Sequence, residues 1–209
     1  MDAESEHGVA LVTGACAPLG AGLVESLARR GALVAAVDSD GARLADLVER
    51  LQRAGLRVAG RQIDVTSGAA VDALVDQVER EFGPIDVVVT TTAAFRPGPV
   101  LTLTEADWAH TFAVNVDGVF HVTRAVAARM VCRGRGTIIV VATHSAAVPR
   151  SSVAAYAASR AAAVAYAECL ALEVAPRGVR CAVVAPDDVR RVVDEVRYLL
   201  ADTAPALGA

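Results

Sequence analysis

The sequence predicts a doubly wound α/β fold built on a parallel sheet, and three observations carry that prediction. Apolar runs of five to seven residues recur at 9–13, 33–38, 58–64, 85–90, 137–143 and 179–185. Unbroken Val, Ile, Leu and Ala runs of this length read as strands buried on both faces. Each of the first five is followed by a segment of helical periodicity, at 19–30, 42–54, 69–82, 105–132 and 152–175. Strict strand–helix alternation with mostly short connections makes the strands parallel and puts ligands at their carboxyl ends.

The element ends carry their own signals. The first strand runs into Thr13-Gly14, a turn that opens the helix at 19–30. Ser39 or Asp40 can cap the second helix and Gly55 can end it. Thr104-x-x-Asp107 has the spacing of a capping arrangement for the fourth helix. The helices at 105–132 and 152–175 are rich in Ala. Small residues allow close helix contact, either within the monomer core or between two copies. Residues 189–200 read as one more helix, directly after Asp187-Asp188. No repeat, linker or low-complexity block interrupts the pattern, so residues 1–209 form one domain.

Composition narrows the function classes. Apolar residues make up 54% of the 209-residue chain against 21% charged, which excludes disorder and suffices for a real core. No apolar run approaches the roughly 18 residues of a membrane span, and residues 1–7 are acidic and polar rather than a leader. The net charge of −4 gives no sign of nucleic-acid binding. Cys16, Cys132, Cys169 and Cys181 lack metal-ligand spacing and read as reduced thiols, so a cytoplasmic protein without a metal is expected. All twenty basic residues are Arg, so Arg160 reflects a bias of the whole chain as much as a choice at one site.

Tyr156-Ala-Ala-Ser-Arg160 carries the chemistry. A tyrosine and a cation four residues apart share one helix face. A free phenol has a pKa of about 10 and is a poor acid–base group until a nearby positive charge favours its anion. Thr143 precedes Tyr156 by thirteen residues, and Asn115 lies in an earlier predicted helix. At the other end, Thr13-Gly14-Ala15-Cys16-Ala17-Pro18-Leu19-Gly20 follows a strand and opens a helix, the setting of a dinucleotide-binding turn. Asp38 ends the second strand, where a carboxylate accepts ribose hydroxyls and repels a 2′-phosphate; neither Ala17 nor Ser39 is basic. A helix-cap or turn role is the alternative for Asp38.

Taken together, these motifs resemble the short-chain dehydrogenase/reductase family over residues 9 to about 200. The resemblance implies a Rossmann-like fold and NAD as cofactor, held by Gly14, Leu19, Gly20, Asp38, Asp64 and Val65. It implies a proton exchange at Tyr156, a substrate oxygen held by Thr143, a water relay anchored at Asn115, and Arg160 in place of the family's Lys. Asp107-Trp108, residues 111–116, Pro149-Arg150 and residues 178–181 are similar to members that oxidise a cyclic dihydrodiol carboxylate, such as 2,3-dihydro-2,3-dihydroxybenzoate, in siderophore or secondary-metabolite biosynthesis. Arg96 and Arg150 would then face the substrate carboxylate, with His144 lining the pocket, or else be solvated loop arginines. The family also commonly pairs through the two Ala-rich helices, so a homodimer is expected.

Several departures from the family pattern bear on activity. Pro18 replaces the middle glycine of Thr-Gly-x-x-x-Gly-x-Gly, and Thr90-Thr91-Thr92-Ala93 replaces Asn-Asn-Ala-Gly. The substrate lid that follows Ala185-Pro186 in the family, and its last strand, are expected to be lacking. Two other readings therefore stay open: a redox-neutral isomerase or dehydratase using Tyr156 and Thr143, and a non-catalytic partner subunit.

Overall fold

A computed structural model describes residues 8–142, 150–185, 194 and 196. Thr143, His144 and nearly all of the predicted 189–200 helix lie outside the described residues; Asp194 and Val196 are helical. Among the described residues, six strands form one sheet: β1 (Val9–Thr13), β2 (Leu33–Asp38), β3 (Val58–Gln62), β4 (Ile85–Thr90), β5 (Gly136–Val141) and β6 (Val179–Val184). Their order is β3-β2-β1-β4-β5-β6 and every pairing is parallel. The chain reverses direction across the sheet between β1 and β4, the switch point where such folds bind ligands.

Helices α1 (Pro18–Arg29), α2 (Gly41–Arg53), α3 (Gly68–Phe82), α4 (Glu105–Phe112), α5 (Gly118–Arg133) and α6 (Ala154–Val174) flank this sheet. Strand side chains alternate between two cores, as a period of two requires. Ala10, Val12, Val34 and Val89 pack with Leu23, Leu27, Leu44 and Leu51 of α1 and α2. Leu11, Val88 and Ile138 pack with Leu74, Val122, Met130 and Ala167 of α3, α5 and α6. Full burial of each Leu or Val contributes about 1.5–3 kcal/mol, so the sheet is a rigid platform for whatever its carboxyl ends carry. No helix among the described residues is long and apolar enough to cross a membrane.

The cap of α2 is Asp40, whose side chain accepts the Arg43 N–H, and Gly55 follows the helix at φ +77. Thr104 caps α4 by accepting the Asp107 N–H at 3.0 Å. Most boundaries fall within one or two residues of the sequence expectation, and three of the departures have a local cause. Strand β3 stops at Gln62 rather than 64, because Asp64 Oδ1 takes the Thr66 N–H at 2.9 Å and turns the chain. Helix α6 begins at Ala154 rather than 152, because Ser152 sits at φ +63, outside the right-handed helical region. The predicted 105–132 helix is broken by a π turn, Ala113–Asp117, centred on Asn115.

Candidate active site

At the end of β1 the backbone turns at Gly14, with φ +70. A Cβ there would stand 2.8 Å from both Thr91 Oγ1 and the Thr92 nitrogen, and one on Gly20 would stand 2.0 Å from the Gly14 carbonyl oxygen. Glycine is required at both positions so that α1 can press against the turn. Pro18 occupies the first helical position, where proline suits helix geometry and its missing N–H would have lacked an intrahelical partner anyway. Leu19 and Gly20 remain as first-turn donors.

Asp38 braces this turn from β2. Its Oδ2 accepts the Cys16 N–H at 2.9 Å and its Oδ1 the Asp40 N–H at 3.1 Å. From α2, Arg43 Nη2 donates to the Cys16 carbonyl at 2.7 Å, so the Cys16 peptide is held at both ends. Burial, reinforced by the Asp38 carboxylate, pushes the Cys16 thiol up to about 11 and keeps it protonated. Behind Asp38 lies a cavity of about 70 Å³, lined among others by Gly14, Asp64, Val65, Thr92 and Val114.

The Thr90–Ala93 replacement loosens the scaffold less than the sequence suggests. Thr91 Oγ1 donates to the Thr13 carbonyl at 2.7 Å, alongside the Thr91 N–H at 3.2 Å, and so ties β4 to β1 at the switch point. Thr90 Oγ1 and Thr92 Oγ1 are buried without a partner. A dinucleotide fits these residues: a shelf closed to side chains at Gly14 and Gly20, a carboxylate with lone pairs to spare, and an orphaned hydroxyl on the cavity wall.

The other half of the site rests on Asn115, which is fully buried. Its Oδ1 accepts the Ala94 N–H at 2.7 Å, and its Nδ2 donates to the Ala94 carbonyl at 3.0 Å and to Ser159 Oγ at 2.9 Å. Ser159 Oγ in turn donates to the Tyr156 carbonyl. The Asn115 side chain is thus a clamp joining the loop after β4, the π turn and α6. Ser159 escaped the sequence reading, although it sits inside the Tyr156–Arg160 segment, one turn after the tyrosine.

Tyr156 is 8% exposed and Arg160 is 2% exposed. Arg160 Nη2 donates to the Val141 carbonyl at the end of β5, while its Nε has no partner. Burial pulls the guanidinium below its usual pKa, and the charge of a Tyr156 phenolate acts in the opposite sense. Among the described residues no carboxylate is paired with Arg160. A buried cation without a counter-ion is costly, and its natural compensation is an anion formed at or brought to the site.

The two candidate substrate arginines separate. Arg96 is tied to Asp107 at 3.0 Å, and hydrogen bonds from Thr104 and then Arg96 hold that carboxyl below the usual range. Arg150 is exposed and makes no hydrogen bond or ion pair among the described residues. Phe95, which the sequence reading passed over, meets the Tyr156 ring edge-on with centroids 5.0 Å apart. His121 is structural, its Nδ1 lying 3.0 Å from the Val65 carbonyl oxygen.

The comparisons with known proteins agree with this geometry. The chain is 40% identical to the 2,3-dihydro-2,3-dihydroxybenzoate dehydrogenase of Bacillus subtilis over 187 residues, 89% of this chain and 72% of that protein. An NAD-bound xylitol dehydrogenase structure superposes with a TM-score of 0.82 at 31% identity, over 86% of this chain and 70% of that one. A gluconate 5-dehydrogenase from Burkholderia cenocepacia, in complex with NADP and tartrate, gives 0.81 at 30% identity, over 95% of this chain and 77% of that one. The family model for short chain dehydrogenases matches residues 8–196. With that match spanning both the Gly14 turn and the Tyr156 helix, the chain belongs to the short-chain dehydrogenase/reductase family of oxidoreductases.

Proposed function

We propose that the protein oxidises a cyclic dihydrodiol carboxylate, such as 2,3-dihydro-2,3-dihydroxybenzoate, to the aromatic product, with NAD as the oxidant. The observation that carries this reading is the buried Arg160 on the helix of Tyr156, a cation with no carboxylate paired to it among the described residues. Tyr156 takes the proton of the reacting hydroxyl, and Arg160 stabilises the charge that Tyr156 carries while it acts as base. Asn115 holds Tyr156 in place through Ser159, and its π turn is where a proton-relay water would be anchored. The family resemblance assigns the substrate oxygen to Thr143 and a pocket role to His144, both outside the described residues. Arg150, which has no partner among the described residues, rather than the occupied Arg96, pairs with the carboxylate of the substrate.

Bound NAD supplies the hydride acceptor. Gly14, Leu19 and Gly20 would hold its pyrophosphate, Asp38 its ribose hydroxyls, and Asp64 and Val65 its adenine. The Asp38 carboxylate favours NAD over NADP by repelling a 2′-phosphate. A catechol acid product is consistent with siderophore or related secondary metabolism, and the cytoplasm is the compartment proposed with it.

A second copy is expected on the outer face of α5 and α6. There Phe120 is exposed, and a cavity of about 440 Å³ is lined by Phe120, Arg124, Tyr166, Leu170 and Glu173. The groove carries both charge signs, as a self-complementary two-fold contact requires. Calorimetric titration with NAD and NADP, followed by NADH formation on addition of the dihydrodiol acid, tests the activity. Tight NAD binding with turnover is expected; no NAD binding sinks the proposal. Light scattering on the same sample gives the oligomeric state.

A further inference from the structure

We infer that Phe95 is the ring-recognising wall of this site and makes it select a flat cyclic substrate over an open-chain polyol. The inference rests on the dehydrogenase reading only in that Tyr156 marks the reacting edge. Phe95 is 57% exposed although it touches a buried tyrosine. Its ring stands at 88° to Tyr156 with centroids 5.0 Å apart, so one contact is taken by the phenol while much of the ring stays open to solvent. Leaving that much aromatic surface in water forgoes the burial energy that rings provide. A ligand ring laid against Phe95 recovers it and brings its own hydroxyl towards the Tyr156 phenol.

The wall is built to stay in place. On one side of Phe95, both the N–H and the carbonyl of Ala94 are clamped by Asn115. On the other, the Gly98 N–H donates to the Ser152 carbonyl at 2.8 Å. Ser152 is the only non-glycine described residue at positive φ, at +63. Such a conformation persists only where its surroundings fix it, and it joins the Phe95 loop to the segment that carries Arg150. Arg96 is turned away to Asp107. The junction therefore offers an open aromatic ring and a guanidinium with no partner among the described residues, matching a ring that bears a carboxylate. A pre-ordered wall loses little entropy on binding, whereas an open-chain polyol gains nothing from a π surface.

The test is calorimetric binding of 2,3-dihydroxybenzoate, a non-reacting ring acid, and of threitol, an open-chain diol, to the NAD-saturated protein. Wild type is expected to bind the ring acid. Phe95→Ala should weaken that binding by about tenfold, the scale of one lost aromatic contact with its buried area. Phe95→Tyr should restore it, and threitol affinity should not change. NAD affinity should match wild type in both variants, and the melting midpoint of Phe95→Ala should fall by only the few degrees expected for one lost aromatic pair. Equal affinity of Phe95→Ala and wild type for the ring acid, or no binding of it by wild type, overturns the inference. Ring binding that depends on Phe95 without any NADH formation from the dihydrodiol acid supports the wall and counts against the dehydrogenase reading alone.

Discussion

The two halves of the site meet their departures from the family pattern in opposite ways. Around β1, β2 and α2, the scaffold binds up most of its own polar groups, the buried Thr90 and Thr92 hydroxyls excepted. Thr91 ties β4 to β1, and Asp38 with Arg43 holds the Cys16 peptide at both ends. Pro18 fits as the first residue of α1. Around α6 the valences are left open. Arg160 Nε is buried and unpaired, Arg150 has no partner among the described residues, and Phe95 is more than half exposed. The cofactor half is thus finished as a scaffold, whereas the reacting half is completed by what it binds. Substitutions in the first should read out mainly as stability or cofactor affinity, and substitutions in the second as chemistry.

Tyr156→Phe is the largest expected break in this contrast. Removing the acid–base group should lower NADH formation by about 10²–10⁴-fold, with NAD affinity unchanged by calorimetry. A comparable loss of NAD binding would show that the halves are not separable. Arg160→Met should reduce turnover by about 100-fold while raising unfolding free energy by about 1 kcal/mol, because it replaces an uncompensated buried cation with an apolar chain. Arg160→Lys should keep more activity than Met, as read from kcat in the same assay. In the cofactor half, Thr91→Val removes one buried hydroxyl bond and should cost about 1 kcal/mol in urea unfolding, with kcat within twofold of wild type. A kcat collapse in that variant would move Thr91 into the reacting half. The smallest effect is expected for Pro18→Gly. Restoring an N–H at the helix start should tighten NAD by about threefold, and the more flexible chain should lose about 0.5–1 kcal/mol of stability.

The fold was legible because its signals are local. Wholly apolar runs such as Val87–Val89 and Ile138–Val141 read as buried strands, and the structure buries them fully or nearly so. The caps at Asp40 and Thr104 were equally legible, since a cap needs only residues three positions apart. What the sequence concealed depends on meetings between distant residues. The π turn at Asn115 follows no periodicity; it accompanies the Asn115 amide's pairing with Ala94, 21 residues away. Ser159 looks like one more small residue in an Ala-rich helix until Asn115 is placed opposite it. Arg96 and Arg150 are alike as letters, and only Asp107, eleven positions from Arg96, separates them. The Thr91 hydroxyl replaces a missing amide by reaching 78 positions back to Thr13, a compensation invisible to any motif.

The Asn115 clamp has a consequence for how the protein can be divided. It gathers Ala94, Asn115 and Ser159 from the loop after β4, the π turn and α6, across separations of 21 and 44 residues. Each of those bonds closes a long stretch of chain, and the entropy of that closure is repaid only once the sheet and helices between them have docked. The reacting centre is therefore a property of the assembled domain, held by no single segment. A fragment that omits either the β4 loop or α6 would retain part of the motif in its sequence and none of the site.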